Sequence, residues 1–467
     1  MITAGLSAKR AVPFVLAIGI WLWPVPAGLT AQAWHLFAVF LAAIVAVLVG
    51  ALPLLTSTML AVAAAVLTGT IEPAKAFSGF ANPSVLLVVI AFLVAQAVVK
   101  SGLGRRISLF MVGLFGRSSL GLAYSIVLTD AVIAPAFPSN TARGGVLFPV
   151  VLSVSEGAGS RPQDPVGRRL GGYLMFCTMA SLAVSSALWM TATSANPIGI
   201  QVVRDVGVQI GFGKWFMVAS VPALTAILAL PWLIAHLFPP GMGETPEAPV
   251  AARKALAELG PLSREEWITA GAFVLMVSGW IFADTLKLNV TSIAFAGLGV
   301  LLMTQVLTLD DIATMGDTLT TFLWLAVLFA LSGQLNELGF MGYVGQVLAT
   351  YMGGLSWPLL YVGLVVIYVA IHYMFVSQSS QVLALLGVFL DVGIRGGVPA
   401  PLMAFALLFA SSYFSVITPQ GGSQNVIFVG SGYLTQRELY RLGLLTTFFF
   451  LAVFLAIGTA WILLVTK

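Results

Sequence analysis

Four short polar clusters interrupt a chain that is otherwise almost continuously apolar: "PSNTAR" at 138–143, "TATSANP" at 191–197, "SQSSQ" at 377–381 and "TPQGGSQN" at 418–425. The chemistry these residue types offer is recognition. Hydroxyls of Ser139, Thr141, Thr193, Ser377, Ser379, Thr418 and Ser423, and amides of Asn140, Asn196, Gln378, Gln381, Gln424 and Asn425, can donate to the oxygens of an anion. Arg143 adds a permanently charged, fork-shaped donor. None of the four clusters contains Asp or Glu, which a site built for a cation would be expected to show. The nearest acids are Asp130 and Asp391; Asp130 is either a partner for Arg143 or a residue facing the cytoplasmic vestibule. Pro138, Pro197 and Pro419 are expected to break helices, leaving half-helix N-termini whose free N–H groups favour negative charge. Paired catalytic carboxylates, a His-rich metal set and a serine with a basic partner are all missing from the clusters, so no enzyme is expected. The single Cys177 excludes an intrachain disulfide.

The elements that must carry these clusters are membrane helices. Of 467 residues, 59% are hydrophobic and 8% charged, where a soluble protein carries about 25% charged residues. Apolar runs predict eleven spans, at 11–28, 31–50, 54–70, 83–103, 171–203, 215–237, 266–284, 290–308, 319–338, 400–432 and 441–464. Two further apolar stretches, 119–155 and 357–393, are each interrupted near the middle by a polar cluster, as hairpins would be. Irregular backbone at membrane depth is tolerated where protein or a water-filled cavity covers it, and in transporters it marks the binding site. The net charge of +4 is spread over loops; it suits anionic lipid and does not suggest nucleic acid. Lys9, Arg10, Lys100, Arg105, Arg106 and Arg117 place the N-terminus and the loops around residues 100–117 in the cytoplasm. The 119–155 stretch then opens to the cytoplasmic side and 357–393 to the outside. The chain reads as a multi-pass protein of a bacterial inner membrane.

A repeat organises the clusters. "AFLVAQAVVKSGLGRRI" from Ala91 lies over "LFALSGQLNELGFMGYV" from Leu328, matching Phe92 with Phe329 and Gly102 with Gly339. One residue further in offset, "FPSNTAR" from Phe137 lies over "FVSQSSQ" from Phe375. The division that follows is a first helix at 1–28, repeat 1 at 29–238 with a hairpin (119–155) and a broken helix (171–203), and a cytoplasmic loop at 239–265. Repeat 2 at 266–467 holds the second hairpin (357–393) and broken helix (400–432), inverted relative to the first.

At these residues the chain resembles the divalent anion:sodium symporter family. "PSNTARGG" and "HYMFVSQSSQ" are similar to signatures of its dicarboxylate exchanger branch, and "TPQGGSQNVIFVGSGYL" at 418–434 resembles the family's second broken helix. The resemblance implies an all-α elevator-type transporter of about eleven helices and two opposed re-entrant hairpins, assembled as a homodimer. It also implies substrate held by Ser139, Asn140 and Thr141 from one hairpin and by Ser377, Gln378 and Ser379 from the other, with the breaks at 191–197 and 418–423 closing the site. The expected cargo is a di- or tricarboxylate of the malate, succinate, 2-oxoglutarate and citrate class. The alternative is sodium-coupled symport of the same anions or of sulfate, with sodium near Ser139, Asn140, Ser377 and Gln378; no other cofactor is implied. Arg143 would replace one such sodium. Gln381, where the branch often has histidine, has no such charge.

Overall fold

Hydrocarbon offers backbone N–H and C=O groups no partner, so a spanning segment must bond to itself. The chain is accordingly helical among the described residues, with a single isolated bridge between Ser118 and Glu244. The computed structural model describes residues 2–164, 167–351, 354–375 and 377–466. Among the described residues eight helices are long and apolar enough to cross a membrane: Ala31–Leu48, Pro83–Ser101, Ser119–Ala136, Arg168–Leu188, Phe212–Leu237, Gly316–Glu337, Trp357–Met374 and Gln436–Val465. Shorter apolar helices, Arg10–Leu22, Leu54–Leu67, Val290–Met303 and Ala400–Tyr413, accompany them. Among the described residues, three helices of 12 or 13 residues lie outside the expected apolar runs: Leu103–Phe115, Glu247–Glu258 and Phe340–Tyr351. All are too short to span; the first opens with Arg105 and Arg106, and the second carries charge along its length.

The chain forms two compact units, each drawing on both sequence repeats. The first comprises residues up to 89, 197–209 and 314–407. In it Ala31–Leu48 packs between Ile2–Leu22 and Leu54–Leu67, and Gly316–Glu337 packs on Leu54–Leu67 and on the turn Ser78–Ala81. The last contact is backbone against backbone, because a Cβ on Gly79 would run into the carbonyl of Ala326. This unit holds the second hairpin: Trp357–Ile371, a tight turn His372–Met374, and Gln378–Gln381, which continues through a π-helical stretch Val382–Leu386 into Gly387–Arg395.

The second unit comprises 90–196, 210–313 and 408–467. Its axis is Arg168–Leu188, buried at every residue from Leu170 to Leu188 and packed by Ser119–Ile133, Asn140–Gly157 and Phe212–Leu237. Small residues allow that enclosure: a Cβ on Gly171 would enter the Tyr433 ring. The first hairpin runs Ser119–Ile133, turn Ala134–Ala136, then Asn140–Gly157. Helix Gln436–Val453 starts at a capping box of Thr435 and Glu438 and presses Gly443 against the chain at Val416 and Ile417, where the second broken helix ends its first half. Because the neighbours are backbone atoms, Gly443→Ala is expected to cost about 1–3 kcal/mol. It should lower the thermal midpoint in detergent and slow transport together; a variant unchanged in both would show that the break yields without strain.

Candidate functional site

In the second unit the tip of the first hairpin meets both breaks. Ser139 caps Asn140–Gly157, its hydroxyl accepting from the Ala142 N–H at 3.3 Å. A helix start leaves its first N–H groups without intrahelical acceptors, which directs those of Asn140 and Thr141 toward whatever occupies the tip. The Ser194 N–H donates to the Pro138 carbonyl at 3.1 Å, and the Thr191 hydroxyl donates to the Pro135 carbonyl at 2.9 Å. On the other side Thr141 and Ser423 share a hydroxyl–hydroxyl bond of 2.5 Å, and both are exposed. Thus Ser139, Asn140, Thr141, Thr193, Asn196, Thr418, Pro419 and Ser423 belong to one compact body. Ser377, Gln378, Ser379 and Gln381 belong to the first unit, as does Pro197.

Arg143 lies beneath this tip and is fully buried. Its Nη1 donates to Asp130 Oδ1 at 3.0 Å and to Ser185 Oγ at 2.7 Å. Its Nη2 donates to Asn140 Oδ1 at 2.6 Å, Ser186 Oγ at 2.7 Å and the Leu182 carbonyl at 3.1 Å. The second carboxylate oxygen of Asp130 accepts from Ser181 at 2.6 Å. Of the two positions open to Asp130, the structure selects the partner of Arg143, and both members of the pair are without solvent exposure. The guanidinium therefore acts on the tip through Asn140, whose side-chain carbonyl it fixes. Nothing in the clusters pointed to Ser181, Ser185 and Ser186. Their only signal was polar residues at i and i+4 in an apolar helix, a spacing that puts Ser181 and Ser185 on one face.

The two breaks are stapled alike. Asn196 Nδ2 donates to the carbonyls of Ser186 at 2.7 Å and Trp189 at 3.1 Å. Asn425 Nδ2 donates to those of Ser415 at 2.6 Å and Thr418 at 2.8 Å. The sequence separations are ten and seven residues in both cases, so the staple is repeated with the sequence. The amides expected to donate to an anion are spent on backbone, and what remains is the Oδ1 of each, buried without a partner. Pro197 does not break its helix: it stands in the first turn of Ala195–Arg204, where its missing N–H would have had no acceptor. Gly145 is not needed for close packing, since a Cβ there would meet open space, while Gly144 sits at ordinary contact distance from Phe428, Leu182 and Gln424.

The second hairpin repeats the first without its charges. Gln381 is buried, donating from Nε2 to the Tyr368 carbonyl at 2.8 Å, while its Oε1 lies 2.7 Å from His372 Nδ1. Gln381 and Tyr368 are thirteen residues apart, as are Arg143 and Asp130. An amide held by a backbone carbonyl and a histidine thus occupies the place that an ion pair occupies in the first hairpin.

The chain is 36% identical to the putative malate transporter YflS of Bacillus subtilis, over 97% of this chain and 96% of that one. It is 36% identical to dicarboxylate transporter 1, chloroplastic, of Arabidopsis thaliana (96% and 81%), and 31% identical to the citrate/succinate antiporter of Escherichia coli K12 (96% of each). The solved structure of the Alcanivorax borkumensis YdaH transporter matches in fold, with a TM-score of 0.55 at 18% identity over 84% of this chain and 87% of that one. Residues 5–466 match the family described as the sodium:sulfate symporter transmembrane region, so this chain is a multi-pass membrane protein of the sodium:sulfate symporter family, the one its paired hairpin motifs resemble.

Proposed function

We propose that the protein carries di- or tricarboxylate anions of the malate, succinate, 2-oxoglutarate and citrate class across the bacterial inner membrane by exchange. On this reading it is a homodimer embedded in lipid that acts as an elevator and catalyses no reaction. The observation that carries it is the fully buried Arg143, bonded to Asn140 directly under the N-cap of a hairpin whose tip presents Ser139 and Thr141. Oriented N–H groups and hydroxyls at a helix start, backed by a guanidinium, hold a carboxylate without binding it to a mobile charged side chain. The relatives' names, a malate transporter, dicarboxylate transporters and a citrate/succinate antiporter, support the cargo class.

A second reading, sodium-coupled symport of the same anions or of sulfate, is favoured by one feature. Asp130 offsets the charge of Arg143 within hydrogen-bond distance, so the pair brings no net charge to balance a dianion, and the second hairpin brings none at Gln381. Sodium at the tips, beside Ser139 and Asn140 or Ser377 and Gln378, would supply it. Counterflow in proteoliposomes separates the two. Exchange predicts uptake of labelled succinate that needs an internal dicarboxylate and is unchanged when choline replaces sodium. Uptake into empty vesicles driven by an inward sodium gradient would establish symport.

A further inference from the structure

Each compact unit contains a groove along its own hairpin, and the two grooves occupy equivalent places in the repeat. In the second unit a cavity of about 700 Å³ is lined by Gln96, Gly102, Arg105, Gly145, Pro149 and Ser153, with Ala255 of the helix Glu247–Glu258 on its wall. In the first unit a cavity of about 390 Å³ is lined by Gly333, Gly339, Gly342, Leu383, Gly387 and Asp391. The registers that set Gly102 over Gly339 and Phe137 over Phe375 match these two sets residue for residue. The larger groove reaches Ala142, the neighbour of Thr141 at the hairpin tip, so it adjoins the N-cap that the anion-transport reading gives to the cargo.

Their charges differ. Among the described residues that line the larger groove, Arg105 is the one that carries a charge. It is exposed and, among the described residues, forms none of the ion pairs. The smaller groove carries Asp205, Glu337 and Asp391. Glu337 is paired with Lys75 at 2.9 Å and Asp391 with Arg395 at 2.6 Å. Asp205 accepts a hydrogen bond of 3.2 Å from Asn336, and partial burial pushes its carboxyl above the usual carboxylate range. At the position matching Arg105 stands Gly342.

We infer that the groove along the first hairpin is an antechamber for dicarboxylate, with Arg105 its anion-capturing residue, and that its acidic counterpart along the second hairpin lacks this function. This rests on the anion-transport reading and adds to it an affinity that differs between the two faces of the membrane. A cation at the mouth of a narrow cleft raises the local concentration of an anion and accelerates its entry. It does so only through solvent, so the effect is modest and salt-sensitive. Arg105 makes none of the tip's bonds, so its loss should appear in KM and leave kcat alone.

The experiment measures succinate exchange by the full-length protein in inside-out and right-side-out membrane vesicles. With the first hairpin opening to the cytoplasm, Arg105→Gln should raise KM about fivefold in inside-out vesicles only, with kcat unchanged and the difference shrinking as salt rises. Gly342→Arg should lower KM in right-side-out vesicles. An equal change on both faces, an unchanged KM in both preparations, or a loss confined to kcat would overturn the assignment. Absence of dicarboxylate exchange by the unsubstituted protein would overturn the transport reading, and the antechamber with it.

Discussion

Arg143→Ala is expected to lose at least about a hundredfold in dicarboxylate transport and to unfold more readily than any other single change at the site. The side chain makes five hydrogen bonds from full burial. Its removal leaves Asp130 an uncompensated buried charge, and breaking one side of such a pair costs about 3–5 kcal/mol. It also frees the Asn140 carbonyl, which is then held by Ser186 alone, at 2.6 Å. Loss of transport by this variant would not distinguish an anion-site residue from a structural one. The double change Asp130→Asn with Arg143→Gln does, because it removes both charges together and leaves amides where Gln381 shows that an amide can be held in this kind of hairpin. The expected result is a thermal midpoint in detergent near that of the unsubstituted protein, with exchange still lost or newly dependent on sodium. Exchange at the original rate and without sodium would show that the ion pair serves folding only.

Asp130→Asn alone tests the charge balance from the other side. Removing the carboxylate leaves Arg143 with an uncompensated positive charge under the hairpin tip, which adds attraction for a dianion and also a desolvation cost. If sodium in the native protein supplies the missing charge, this variant should need less of it, and an unaltered sodium dependence would separate the pair from coupling.

The clusters were legible because polar residues in a continuous apolar chain have few structural explanations. What each side chain does inside a cluster was not legible, for a physical reason. Asn196 and Asn425 read as donors to an anion, but the direction of an amide is set by which carbonyls a break brings within its reach, and those lie seven and ten residues back. Asp130 carried two readings because Arg143 lies thirteen residues on, across a turn whose geometry no periodicity describes. Leu103–Phe115 escaped because a segment that opens with two arginines and stops after thirteen residues carries no spanning signal, although it borders the groove that Arg105 lines.

The two stapling asparagines should fail in parallel, and the parallel separates positioning from binding. Replacing Asn196 or Asn425 by Leu removes two hydrogen bonds; the Trp189 and Thr418 carbonyls still accept from the N–H groups of Ala192 and Gly421 at 3.1 Å, but the buried carbonyl of Ser186 or Ser415 loses its amide donor, at about 1–3 kcal/mol. Asn→Asp is expected to be worse in spite of its shape, since an ionised carboxylate would face the same two carbonyls it must replace a donor to. Each break then opens, moving the Ser194 N–H away from Pro138 in one case and Ser423 away from Thr141 in the other. Transport should fall at least about tenfold, with kcat and KM both affected. If the asparagines act only as staples, the Leu and Asp variants of both should rank in the same order for thermal midpoint and for rate. If instead the unpartnered Oδ1 atoms accept a bond from the cargo, a dicarboxylate bearing a hydroxyl should lose more affinity than succinate in the Leu variants. Leu variants with unchanged midpoint, rate and anion preference would show that water replaces the staple and that the breaks hold without it.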